Sequence, residues 1–271
     1  MVNMPGKVKR LAAVFFSVLT MNLILAACVI QKSSPTLTPG DLTVNPDKSI
    51  RIGLDSSLPP FEATDPYSND VVGFDIELIK SVAEKTGLKL EFVNNPYSQL
   101  IAMVSKCQLD AAISAIAISD SLKQQLYFSD VYYTSSNVLV VKKGNITITG
   151  LDTLSGVNVG TLAGSPSESD IRKIPGVQLK TYPSFGLAFF DMISGYTQAV
   201  IADKLHALTY VEIKPNNLRI IGDEFGVVNY GIAICKKRGD LVEIFNNALA
   251  ELKIDGTLKK LTEKWLTQVG Q

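Results

Sequence analysis

The sequence is poor in the residues that metal sites and most acid–base enzymes depend on. Its 271 residues include one His (His206) and three Cys (Cys28, Cys107 and Cys235). Cys/His zinc clusters are excluded by that count, and so is most His-based catalysis. An excess of positive charge is also missing, since 26 Lys and Arg stand against 26 Asp and Glu. Phosphate backbones are gripped by clustered Lys and Arg, so this balance excludes nucleic acid as the main partner. What is present is 46% hydrophobic and 19% charged residues, the proportions of a folded protein. The length suits one large domain or two ordinary ones. Carboxylates, hydroxyls, aromatics and backbone are left for chemistry, and no metal or cofactor is expected.

The first thirty residues read as an address. Lys7, Lys9 and Arg10 precede an apolar run from Leu11 to Ala27 that ends in Leu25-Ala26-Ala27-Cys28. A positive start, an apolar core and small residues at the exit describe a cleaved export signal. The competing reading is an uncleaved anchor, because Leu11 to Ile30 just reaches the ~20 residues that span a bilayer. Leu-Ala-Ala-Cys resembles the lipobox of bacterial lipoproteins, which implies cleavage before Cys28 and acylation there, palmitate included. Loss of Lys7, Lys9 and Arg10 leaves 23 basic against 26 acidic residues, a net charge of −3. Gln31 to Gly40 is rich in Ser, Thr, Pro and Gly, a tether that cannot build a core. The expected division is a signal over 1–27, a tether over 28–48 and a folded part from 49.

The folded part alternates. Ile50 to Leu54 is a short apolar strand, and Gly73 to Gly87 carries apolar residues at helical spacing (Phe74, Leu78, Ile79, Val82) before a closing glycine. Leu88–Val93 reads as strand, Ser98–Lys106 as helix and Asp110–Ile113 as buried strand. The pattern restarts with strand Val157–Thr161, a turn at Gly164-Ser165-Pro166, strand Val177–Thr181, helix Phe185–Ser194 and strand Gln198–Ile201. Asp110-Ala111-Ala112-Ile113 is echoed by Gln198-Ala199-Val200-Ile201. Tyr230–Ile234 is a further strand, and Leu241 to Gln268 is read as helical. Strand–helix alternation implies an α/β fold of mostly parallel sheets. Two such units imply two lobes, 49–142 plus 231–271 and 143–230, with Val138–Val141 and Val228–Ile232 crossing between them. Ligands of open α/β sheets bind beyond the carboxyl ends of strands, so the expected site is a cleft that closes by hinge motion.

Several ordered motifs then carry a family resemblance: Arg51-Ile52-Gly53-Leu54-Asp55, Pro59-Pro60-Phe61-Glu62, Val72-Gly73-Phe74-Asp75, Phe128-Ser129-Asp130, Tyr230-Gly231-Ile232-Ala233, and the run from Leu252 to Trp265. From about Ser49 to Trp265 the chain resembles the type-3 extracellular solute-binding proteins of amino-acid ABC importers. The resemblance implies a two-lobed, type II periplasmic-binding-protein fold. It also implies a monomer that closes on one small ligand and docks on a membrane permease.

Residue by residue, the resemblance implies ligand contacts from Asp55, Leu58 (where relatives often place a stacking aromatic), Phe61, Tyr97, Ser114, Ala115, Ala117, Ser165 and Asp203. Asp203 matches the carboxylate that binds the ligand's α-ammonium. The carboxylate half of the site departs from the family. Leu122 stands at the position of the Arg that forks onto the α-carboxylate, Ala117 replaces a hydroxyl residue, and Pro166 removes an N–H donor at a helix start. Bland readings stand beside these: Asp55 and Asp203 as strand-end caps, Phe61 as core, Lys204 and His206 as surface residues of the next helix. The family's sheet brings the chain near Cys107 and Cys235 together, as a disulfide permitted by export or as two separate buried thiols.

The function so implied is capture of an amino acid or related amine for an ABC importer, without catalysis. The missing Arg puts amines and carboxyl-modified amino acids beside free amino acids as ligands. An enzyme similar to cyclohexadienyl dehydratases is disfavoured, because it would need cations to grip substrate carboxylates. A sensor module finds no support in any fused domain.

Overall fold

The computed structural model describes residues 49–267; the expected signal, Cys28 and the tether lie outside them. In chain order, the first part contains β1 (Ile50–Leu54), β2 (Ser57–Leu58), β3 (Glu62–Thr64), β4 (Val71–Val72), α1 (Phe74–Thr86), β5 (Leu90–Asn94), α2 (Tyr97–Ser105), β6 (Ala111–Ala112), α3 (Asp120–Lys123) and β7 (Tyr127–Phe128). The second contains β8 (Tyr133–Lys142), β9 (Asn158–Leu162), α4 (Pro166–Ile171), β10 (Gln178–Tyr182), α5 (Phe185–Ser194), β11 (Ala199–Asp203), α6 (Lys204–Ile213) and β12 (Leu218–Tyr230). The chain then returns through β13 (Ala233–Ile234), α7 (Asp240–Ile254) and α8 (Thr257–Trp265).

Two five-stranded sheets result, ordered β5-β1-β6-β13-β7 and β10-β9-β11-β8-β12, with a small β2-β3-β4 meander beside the first. The sheets are mixed rather than mostly parallel. β1 runs parallel to β5 and β6, while β13 is antiparallel to β6 and β7. β9 runs parallel to β10 and β11, while β8 is antiparallel to β11 and β12. The antiparallel members are the strands adjoining the passages between lobes, which reach their sheet without a helical crossover. The sequence echo maps onto this order, since β6 and β11 are the central strands of the two sheets.

Helix α1 buries Phe74, Ile76, Leu78, Ile79 and Val82 and ends at Gly87, whose φ of 71° lets its N–H reach the Ala83 carbonyl. The C-terminal segment is two helices rather than one. Gly256 adopts φ 78°, and the Asp255 carboxylate accepts from the Thr257 N–H at 2.9 Å, so a new helix starts there. Both pack with α1 against the first sheet, around Ile52, Phe245, Leu249 and Leu252. Burial of each such large side chain stabilises by about 1.5–3 kcal/mol.

The lobe boundary also moves. Tyr133–Lys142 runs inside the second sheet, and Val138–Val141 pairs with β11 and β12 at its centre. The passage between lobes is the segment just before, where the Tyr132 N–H bonds the Tyr230 carbonyl (3.0 Å) and the Gly231 N–H bonds that of Ile116 (3.1 Å). Cys107 and Cys235 are joined by a disulfide, with their Cα atoms 5.2 Å apart.

Candidate functional site

The carboxyl ends of β5, β6, β9, β10 and β11 lead to one cavity. Leu58, Tyr97, Ser114, Ala115, Ser165 and Asp203 line it, together with Asn137, Leu162, Pro166, Ser167, Phe185, His206, Val228 and Tyr230. It is narrow: about 20 Å³ is open to the centre of a water-sized sphere, room for roughly one ordered water. The lobes are thus drawn close around it.

Asp203 ends β11 and begins α6. Its Oδ1 accepts from the Leu205 N–H at 2.9 Å as a helix cap. Its Oδ2 accepts from the Tyr230 hydroxyl at 2.7 Å. Burial pushes the Asp203 carboxyl up, yet the His206 ring beside it and the Ser135 and Tyr230 hydroxyls hold it below the ordinary value. It is a carboxylate at neutral pH, and the bland reading of Asp203 as a cap coexists with its place on the cavity wall.

Behind Ser114 and Ala115 lies a second acidic centre. Glu62 and Asp75 are both fully buried. The Ser114 hydroxyl donates to Glu62 Oε1 in a very short hydrogen bond. Asp75 Oδ2 accepts from the Ala115 N–H at 2.8 Å and the Tyr132 hydroxyl at 3.0 Å. Glu62 Oε2 and Asp75 Oδ1 have no other partner, and two bare carboxylates cannot be buried together. A proton kept by Glu62 and donated to the Asp75 carboxyl relieves that repulsion. Burial, then the charge of Asp75, pushes the Glu62 carboxyl well up, and burial pushes Asp75 up to about 7. The pair therefore keeps at least one proton through neutral pH. It also fixes Ala115, which lies on the cavity wall with φ at 45°, a conformation costly for a residue with a side chain.

Four expected contacts do not line the cavity. Asp55 is buried but spent locally: it accepts from the Ser57 N–H and hydroxyl (3.0 and 2.7 Å) and from the Tyr97 N–H (2.7 Å). It positions Tyr97 instead of facing the cavity. Phe61 is core, its ring against Phe74, Tyr133, Tyr230 and His206. Ala117 is buried in the first core and bridges to Tyr230. Leu122 sits half-buried on the single-turn α3, packed against the apolar cluster around Leu58, Ile116 and Leu126.

His206 is the residue that sequence reasoning misplaced. Lys204 is half-buried and pairs with Glu224, but His206 is only 2% exposed and lines the cavity. A helix two residues old has not shown its periodicity, so only the apolar Leu205 and Ala207 beside it hinted at burial. Asn137 was equally unannounced; its amide links Ser167 (2.8 Å) to Asp170 (3.2 Å) across the second lobe. Among the described residues no three His, Cys, Asp or Glu side chains group as metal ligands, and no Lys or Arg lines the cavity.

The profile of the bacterial extracellular solute-binding proteins, family 3, matches residues 50–268. The chain is 31% identical over 222 residues to the L-cystine-binding protein TcyJ of Escherichia coli K12, covering 80% of this chain and 82% of that protein. It is 30% identical over 228 residues to the lysine/arginine/ornithine-binding periplasmic protein of the same organism, covering 80% and 87%. Among solved structures, an ancestral arginine-binding protein bound to arginine superposes with a TM-score of 0.77 at 38% identity, over 80% of this chain and 98% of that one.

Proposed function

The chain belongs to family 3 of the bacterial extracellular solute-binding proteins, and from that premise we propose that it captures an amino acid or related amine and hands it to the permease of an ABC importer. One observation carries the ligand class: the cavity is walled by the Asp203 carboxylate and backed by the buried Glu62–Asp75 acid pair, with no Lys or Arg on its lining. A buried negative wall favours an entering ammonium, because the charges it meets are already desolvated. Tyr97 and Phe185 add aromatic faces against which a cation or apolar side chain packs. The same lining disfavours a dehydratase, since nothing on it would grip two substrate carboxylates.

The test is calorimetry of the exported chain against L-amino acids and against their amides and decarboxylated amines. Binding is expected for at least one ammonium-bearing series. Asp203→Asn keeps a good helix cap but removes the charge, and is expected to weaken binding about tenfold to a hundredfold, as for loss of a charge-assisted hydrogen bond. Failure of every series to bind would overturn the reading. Binding of amines but not free amino acids would favour a ligand lacking the α-carboxylate, which the absence of an Arg supports.

The chain is proposed to act as a monomer held at the membrane by acylated Cys28. Cys28→Ser is expected to abolish incorporation of labelled palmitate in a bacterial host, and continued labelling would refute the anchor.

A further inference from the structure

The unmet hydrogen-bonding capacity of the cavity is concentrated in one side chain. Neither nitrogen of His206 has a hydrogen-bond partner of good geometry, although the residue is 2% exposed and faces the cavity. Leaving such a group unpaired costs free energy comparable to a lost hydrogen bond. Its ring is held between two aromatic rings, Phe61 at 5.2 Å and Phe185 at 5.0 Å between centroids. Phe61 comes from the first lobe and Phe185 from the second, so the imidazole sits where the lobes meet. Its Nδ1 stands 3.5 Å from Asp203 Oδ1.

That distance fixes the proton arrangement. A bare Nδ1 lone pair facing a carboxylate would be repelled, so Nδ1 carries a proton. Nε2 is left without a protein partner, so a proton taken up there as a carboxylate-bearing ligand enters gives the ring a second donor for it. The Asp203 carboxylate and a ring so protonated form a short dipole. The head group of an α-amino acid is a dipole of similar span, and it fits in the opposite sense: ammonium on Asp203, carboxylate on His206. No Lys or Arg lines the cavity, and α4 opens with Pro166, which has no N–H to offer.

We infer that His206 is the group that receives the ligand's α-carboxylate, in place of the Arg that the sequence lacks, so that the cavity selects zwitterionic α-amino acids over amines and amides. The inference rests on the proposed function and narrows it. In the resting cavity the groups around the ring are Asp203 at the head of its own helix, Tyr230 from β12 on the other Asp203 oxygen and Tyr97 from α2 on the cavity lining, while the Glu62–Asp75 pair, from β3 and α1, stands behind Ser114 and Ala115. None of these donates a positive charge.

The test compares wild type with His206→Phe, which keeps a ring between Phe61 and Phe185, and His206→Gln, which keeps a neutral donor. Twenty L-amino acids plus cystine and ornithine are screened by calorimetry, and each that binds is re-measured as its amide and decarboxylated amine. Circular dichroism and Tm monitor folding. Wild type is expected to prefer the acid about tenfold or more, as for a charge-assisted bond. His206→Phe is expected to erase that preference by weakening the acid while sparing the amine, and His206→Gln to fall between. Equal loss for acid and amine in both variants, or an unchanged preference, would overturn the role of His206 while leaving amine capture standing. Amines binding wild type with no amino acid doing so would also overturn it. If His206→Phe does not fold, the acid-to-amine ratio of His206→Gln decides. Absence of binding in every series would overturn the proposed function itself.

Discussion

Two carboxylic acids stay buried side by side only while one of them keeps its proton. Glu62 and Asp75 are in that position, and the shared proton props the Ser114–Ala115 wall of the cavity. In the unfolded chain both acids lose their protons near pH 4. In the folded chain burial keeps the proton until about pH 7 or above. The native state therefore binds more protons across that window, and stability falls as pH rises through it. Thermal melts at pH 5 and pH 8 are expected to show this decline, and Glu62→Gln, whose amide donates permanently to Asp75, is expected to flatten it. A variant with the same slope as wild type would refute the shared proton. Both acids stand in the motifs that carry the resemblance, but no spacing announces that they face each other. The same holds for Asp55 and Asp203: equal as residues in the sequence, one is spent on positioning Tyr97 and the other faces the cavity.

At the scale of elements, the approach of Asp75 to Glu62 depends on how α1 begins. Gly73 caps that helix at φ 140°, and the Asp75 N–H reaches the Phe61 carbonyl at 2.9 Å. A Cβ at Gly73 would collide with that same Phe61 carbonyl and lie 2.8 Å from the Glu62 Cα. Gly73→Ala is expected to cost about 3 kcal/mol, lowering Tm by about 6–12 °C. The disulfide acts elsewhere. Cys107 and Cys235 are 128 residues apart in sequence, and neither lines the cavity. The double variant Cys107→Ser/Cys235→Ser is expected to lose about 2–5 kcal/mol of stability, with ligand affinity unchanged within about twofold because the sites share no partner. Denaturant melts and calorimetry of the oxidised and variant proteins check both halves. Helices and core strands were legible because their periodicity is local. The β2-β3-β4 meander was not, because two- and three-residue strands carry no period and exist only by pairing.

For the whole molecule, every residue lining the cavity falls between Leu58 and Tyr230, within the part that begins at Ser49. A chain starting at Ser49 is therefore expected to bind with the affinity of the longer exported chain in calorimetry, and a marked loss would mean that residues 28–48 contribute to the site. The repeated plan of two sheets with an echoed central strand was visible in the sequence, because buried strands at equivalent positions need the same small apolar run. The family resemblance likewise named Leu58, Tyr97, Ser114, Ala115, Ser165 and Asp203, and these six stand on the cavity lining. The sequence could not decide which of Asp55, Phe61, Ala117 and Leu122 face inward, nor that His206 does. Those outcomes depend on side chains from two lobes and eight separate segments meeting across one narrow gap. Sequence period records only which face of one element is apolar, whereas the tertiary packing decides which polar group on that face is left without a partner.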